Sequence, residues 1–234
     1  MGVNRGPNPI ITDGLVFAVD AGNTRCYTSG STTATDLVFD NTLTLTNGSA
    51  PAIQPFSNSW ELDGTDDYMS TATPFTSDAD RTVSLWINPD DYDVTTHNPR
   101  VMFNWDSADE DIQMILKEAG GFKWGSNDKN TGIRYDTPPA VSTWTNVVGT
   151  VSGDQTDINN WNLYFNAVLT AVSADNRPGL GSPNVDTCRF GATAQSSATG
   201  FYDGKIGCIL IYNRALSQAE ILQNYNAQKS RFGL

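Results

Sequence analysis

Apolar and polar positions alternate along most of this chain with a period of two, the repeat of a half-buried β-strand. In the stretch 14–20 (GLVFAVD), Leu15, Phe17 and Val19 share one face. Residues 59–70 (SWELDGTDDYMS) read as two strands about the turn Asp63-Gly64-Thr65-Asp66, with Trp60 and Leu62 pointing one way. Residues 82–89 (TVSLWINP) send Val83, Leu85 and Ile87 inward. The same alternation predicts strands over 101–105, 112–117, 121–124, 143–151, 161–172 and 187–191. The Thr- and Asn-rich tract 22–48 predicts a surface excursion with one short strand near 43–45. About a dozen short strands without a repeat period predict two packed sheets. Asn166-Ala167 stands at a hairpin tip where Asn-Gly is the usual pair; Ala tolerates positive φ poorly, so the turn type stays open.

The pattern changes near the C-terminus. Over 205–212 both faces are apolar, with Ile206, Cys208, Leu210 and Tyr212 on one side and Gly207, Ile209 and Ile211 on the other. Such a strand belongs inside a covered sheet. A helix is predicted over 217–226: Ser217 is the N-cap, Glu220 completes a capping box, and Leu216 staples onto Ile221. Ile221 and Tyr225 form its docking face. So short a helix needs tertiary packing to persist.

This C-terminal phrase, YDGKIG followed by IYNRALSQAEI, resembles the laminin-G-like jelly rolls of the concanavalin A-like lectin/glucanase superfamily. The resemblance implies an all-β fold: a two-sheet antiparallel jelly-roll sandwich with one short C-terminal helix. An extended arm is expected over 1–12, the jelly roll over 13–227 and a tail over 228–234. The fold hosts lectins, enzymes, adhesion modules and virion proteins, so it does not by itself name a role.

The 234 residues suffice for one domain of this kind, and six Trp, eight Tyr and ten Phe suit its strands and core. The formal charge is −12, from 26 acidic against 14 basic residues. Such a field repels nucleic acid and anionic membrane, so neither is an expected partner. No apolar stretch approaches a membrane-spanning length, and the chain opens without a basic cluster followed by an apolar run, so no secretory signal is expected. Cys26, Cys188 and Cys208 lack metal-ligand spacing and read as buried free thiols.

Catalytic residues are not expected. The single histidine, His97, sits in a polar loop, and the four glutamates, Glu61, Glu110, Glu118 and Glu220, lie on separate elements. The superfamily's glycosidases carry a Glu-x-Asp-x-x-Glu strand, a pattern absent here. Hydrolysis of a glycoside needs two facing carboxylates.

Two binding chemistries are candidates beside the plainer readings, which are solvated turns for the acids and core positions for most of the tryptophans. Laminin-G-like domains often hold Ca²⁺ at the rim, and two acidic clusters offer oxygen ligands: Asp63, Asp66 and Asp67, and Asp106, Asp109 and Asp111 with Glu110 between them. Asp203, before Gly204, reads as a turn former. Trp105, Trp124 and Tyr135 lie near Asn-, Asp- and Gly-rich loops and are the candidates for stacking a cell-surface glycan. Asn47-Gly48-Ser49 matches a glycosylation acceptor.

The C-terminal phrase is also similar to virion-associated proteins of tailed bacteriophages. That resemblance implies a non-enzymatic structural protein exposed on a particle, as capsid decoration or at a tail or fibre, partnered by other virion proteins and by itself. Pro7, Pro9 and Ile10 of the arm and Arg231 and Phe232 of the tail are the expected assembly contacts. The alternative is a carbohydrate-binding adhesion module, calcium-dependent or not.

Overall fold

A computed structural model describes residues 9–46, 51–53, 58–72, 74, 80–92, 100–106, 111–117, 121–126, 131–175, 187–194 and 197–234. His97, Glu110, Glu118 and Asn47 lie outside them. The described strands, numbered β1 to β17 in chain order, form two antiparallel sheets.

The first sheet runs β14 (Val168–Leu169), β13 (Trp161–Phe165), β12 (Thr145–Val151), β7 (Arg81–Pro89), β17 (Asp203–Tyr212), β5 (Asn58–Asp63) and β4 (Pro51–Ile53). β1 (Leu15–Asp20) joins it by pairing with the second half of β17, whose first half pairs with β5. The second sheet runs β15 (Ser173–Ala174), β11 (Thr131–Tyr135), β10 (Gly121–Ser126), β9 (Asp111–Lys117), β8 (Arg100–Asp106), β16 (Thr187–Phe190), β6 (Tyr68–Ala72), β3 (Thr42–Thr46) and β2 (Thr33–Thr35). The tract 22–48 thus contributes two strands rather than one.

As expected, β17 is interior, with β7 on one side and β5 then β1 on the other. Its two faces divide differently from a strict alternation. Ile206 lies in the inter-sheet core with Ile209 and Ile211, whereas Cys208, Leu210 and Tyr212 face outward. A register shift against β7 between Ile206 and Ile209 causes this, because one extra residue inverts every later side chain.

The outward face is covered by the helix α1 (Gln218–Gln228), whose N-cap Ser217 and Glu220 form the predicted capping box. The segment expected as a tail is instead part of this cover. The helix runs to Gln228 and a 3₁₀ turn continues through Lys229–Phe232. Phe232 is buried against Trp86 and Trp144, and burying a side chain of that size stabilises by about 1.5–3 kcal/mol. Gly207 makes room: a Cβ there would stand 2.6 Å from Phe232 Cε1. Gln228 completes the join, accepting from Trp86 Nε1 at 2.8 Å and donating to Cys208 Sγ at 3.2 Å. All three cysteines are free and buried, and burial raises each thiol pKa, that of Cys26 to about 11.

The β13–β14 hairpin closes with Asn166 at φ 51° and Ala167 at φ 64°, the two positive angles of a type I′ turn. Ala167 is buried against the outer cluster, so its methyl is used there despite the strained backbone.

Candidate functional site: an acidic corner at one end of the sandwich

The turn between β5 and β6 is built by its own acids. Asp63 Oδ1 accepts from the N–H groups of Thr65, at 2.8 Å, and Asp66, at 3.3 Å. Asp67 Oδ2 accepts from the N–H of Asp63 at 3.2 Å. This folds the three side chains together, and one carboxylate oxygen from each lies within 4.8 Å of the others. Gly64, at φ +72°, lets the turn press on β17: a Cβ there would stand 2.8 Å from Asp203 Cβ.

Three further elements converge on the corner. β17 opens with Asp203 directly opposite Asp63. The end of β7 brings Asp90, which with Glu61 holds Lys205 Nζ at 2.8 and 3.2 Å. Arg100, at the start of β8, donates to the carbonyls of Gly64 at 3.2 Å and Phe201 at 2.8 Å, and lies 4.0 Å from Asp91. Carboxylates therefore outnumber the two cations.

The electrostatics follow. Burial, then the neighbouring Asp63 and Asp66, raises the Asp67 carboxyl above its ordinary range. Burial also raises Asp203; Arg100 opposes the shift and Asp90, Asp91 and Asp63 add to it. Burial pulls Lys205 down, but its hydrogen bonds to Asp90 and Glu61 prevail and leave it raised. Asp67 is 6 % exposed, and its Oδ1 is buried with no hydrogen-bond partner. A buried carboxylate oxygen left so is costly, and a hard cation with carboxylate and carbonyl ligands relieves it. The cluster Asp63, Asp66 and Asp67 has the donor set to coordinate such an ion.

The structure places the other sequence candidates elsewhere. Asp106 and Asp111 are the closing pair of β8 and β9, fully buried rather than solvated, and Asp111 accepts from Asn104 Nδ2 and Gln113 Nε2, both at 2.6 Å. Asp109 is outside the described residues. Trp105 and Trp124 cannot stack a sugar, because both point into the core. Trp105 lies under the Arg81 guanidinium, and Trp124 donates to the Thr150 carbonyl and meets Trp161 edge-on. Tyr135 is half-buried, edge-on to Phe165.

The expected assembly contacts are engaged within the chain. Pro9 is exposed, but its carbonyl accepts from Gln223 Nε2 at 2.8 Å, and Ile10 packs on the helix-side cluster. Arg231 forms a bidentate ion pair with Asp20, and Phe232 is stacked on Trp86. Pro7 lies outside the described residues.

With this geometry in hand, the profile described as the concanavalin A-like lectin/glucanases superfamily matches residues 63–222. The chain belongs to that superfamily. Comparison with curated proteins finds no match. Among solved structures, a similar fold is found in the botulinum neurotoxin serotype D binding domain (15% identity, TM-score 0.64, 92% of this chain and 52% of that one). It recurs in the binding domain of Paraclostridial Mosquitocidal Protein 1 (18%, 0.64, 92% and 52%). Trypanosoma rangeli sialidase in complex with sialic acid is also similar (13%, 0.65, 95% and 34%). The chain thus spans about half of the toxin binding domains and a third of the sialidase, and at these identities the likeness is one of fold.

Arg100, Asp90 and Lys205 were missed as members of the corner because they come from three separate strands. Asp203 was visible only as a turn former, although its place before Gly204 held the one usable signal.

Proposed function

We propose that this chain is a non-catalytic, lectin-like binding module whose rim cluster takes up Ca²⁺ and, with it, engages glycan hydroxyls. The observation that carries the reading is Asp67, a member of the three-carboxylate cluster at the end of the sandwich, whose Oδ1 is buried without a hydrogen-bond partner. Oxygen-only donors favour a hard divalent ion, and Asp63 and Asp66 are exposed, on the side from which a sugar would approach. Similar folds in proteins described as toxin binding domains and as a sialidase bound to sialic acid support a recognition role. The glutamates within the described residues support the non-catalytic half. Glu61 is paired with Lys205, and Glu220 with Arg214 and Ser217.

Calorimetric titration with calcium chloride tests the site: one heat of binding is expected in the native protein and none in Asp67→Asn. No heat in the native protein overturns the cation.

Residence on a phage particle is the finer reading and rests on the resemblance of the C-terminal phrase. Since Arg231 and Phe232 are committed to Asp20 and Trp86, attachment to a particle would use other surfaces.

A further inference from the structure

Hydrogen bonds among Asp63, Thr65, Asp66 and Asp67 shape the acidic turn from within. Arg100 holds its tip from outside. One guanidinium nitrogen, Nη1, donates to the Gly64 carbonyl at 3.2 Å and to the Phe201 carbonyl at 2.8 Å. The first carbonyl belongs to the turn and the second to the approach to β17, so one side chain ties the two together. Backbone contacts support the tie: the Val101 N–H donates to the Gly200 carbonyl at 2.9 Å, and Asp203 pairs with Asp63. The Arg100 side chain is only 17 % exposed, and a charged donor makes hydrogen bonds roughly twice as strong as a neutral one.

Gly64 gives the tie its purpose. Glycine has the widest backbone freedom of any residue, and here it stands at φ +72°. Arg100 selects from that freedom the one conformation in which the tip lies against Asp203. Little space is left there: a Cβ on Gly64 would stand 2.8 Å from Asp203 Cβ and 3.3 Å from Arg100 Nη1.

We propose that Arg100 is a positioning residue for the cation cluster: by fastening the Gly64 carbonyl it keeps Asp63, Asp66 and Asp67 converged before the ion arrives. This role rests on the proposed uptake of Ca²⁺ at the corner. It carries a sign that a pure charge effect does not. A positive charge beside a cation site repels the incoming ion, so on charge alone the loss of Arg100 would tighten calcium binding. Positioning has the opposite consequence, because carboxylates that must be gathered during binding hold the ion less well. Residues that orient ligands without touching the metal cost about tenfold or more in affinity when removed. Lysine keeps the charge but not the planar, preorganised fork.

The experiment is calorimetric titration of the full chain with calcium chloride, below each variant's melting transition. Arg100→Gln should raise the dissociation constant about tenfold, with Arg100→Lys between it and the native protein. Gly64→Ala, which crowds the tip away from the guanidinium, should weaken binding as well. The double variant Gly64→Ala/Arg100→Gln should be little weaker than the weaker single one, since both break the same tie. Should Arg100→Gln fail to fold, Arg100→Lys and Gly64→Ala read the same contact. Calcium binding in Arg100→Gln that equals or exceeds the native affinity overturns the positioning role and leaves the cation site standing, as does full additivity in the double variant. A native protein that takes up no calcium overturns the cation reading and this role with it.

Discussion

Phe232 lies flat on Trp86, with ring centroids 4.1 Å apart and planes 12° apart. This stack closes the outer face of the first sheet and joins the last residues of the chain to its central strands. Phe232→Ala removes a buried aromatic side chain and should cost about 3 kcal/mol in urea unfolding. A change below about 0.5 kcal/mol would show that the segment does not hold the sheet.

Gly207→Ala tests the same join from beneath. The added methyl would meet Phe232 Cε1 at 2.6 Å and Trp144 Cη2 at 3.3 Å, so the ring must leave its seat. The variant should lose stability comparable to Phe232→Ala, and the two changes together should cost less than their sum. Full additivity would mean that Gly207 and Phe232 do not interact.

Much of the fold was legible in the chain because strand periodicity and the capping box are local signals. Ser217 and Glu220 specify the helix start, and Val83, Leu85 and Ile87 specify the inner face of β7. The bulge after Ile206 was not legible, since Gly207 and Ile209 alternate as well in one register as in the next; the partner strand decides. Trp105 and Trp124 misled for a related reason. A loop nearby in sequence says nothing about which face of the strand is buried, and in a sandwich large aromatics go inward. The acidic corner was half legible: Asp63, Asp66 and Asp67 are contiguous, whereas Arg100 and Asp203 arrive through tertiary pairing.

The helix start predicts a pH dependence. Glu220, held by Arg214 and then by Ser217, has its pKa lowered to about 2, below the unfolded value of 4.5. A depressed carboxylate contributes stability above its unfolded pKa and loses it as pH falls through the folded one. Native protein should therefore lose melting temperature between about pH 4.5 and pH 2 more steeply than Arg214→Gln, in which the shift is reduced. Parallel curves would remove the pair from the account.

Asp67 carries the opposite sign. Its carboxyl is raised by burial and by Asp63, so without a cation it destabilises the folded state at neutral pH, and acid relieves it. Asp67→Asn should match or exceed the native melting temperature in chelator and fail to rise when Ca²⁺ is added. The native protein should rise with the logarithm of calcium concentration. A variant that rises as the native chain does would exclude Asp67 as a ligand.

The most direct test of the binding module is a glycan array probed with native protein in calcium, native protein in chelator, and Asp67→Asn in calcium. The account predicts a discrete set of bound glycans in the first condition and their loss in the other two. An array that stays blank in calcium, or binding unchanged by chelator and by Asp67→Asn, would contradict it.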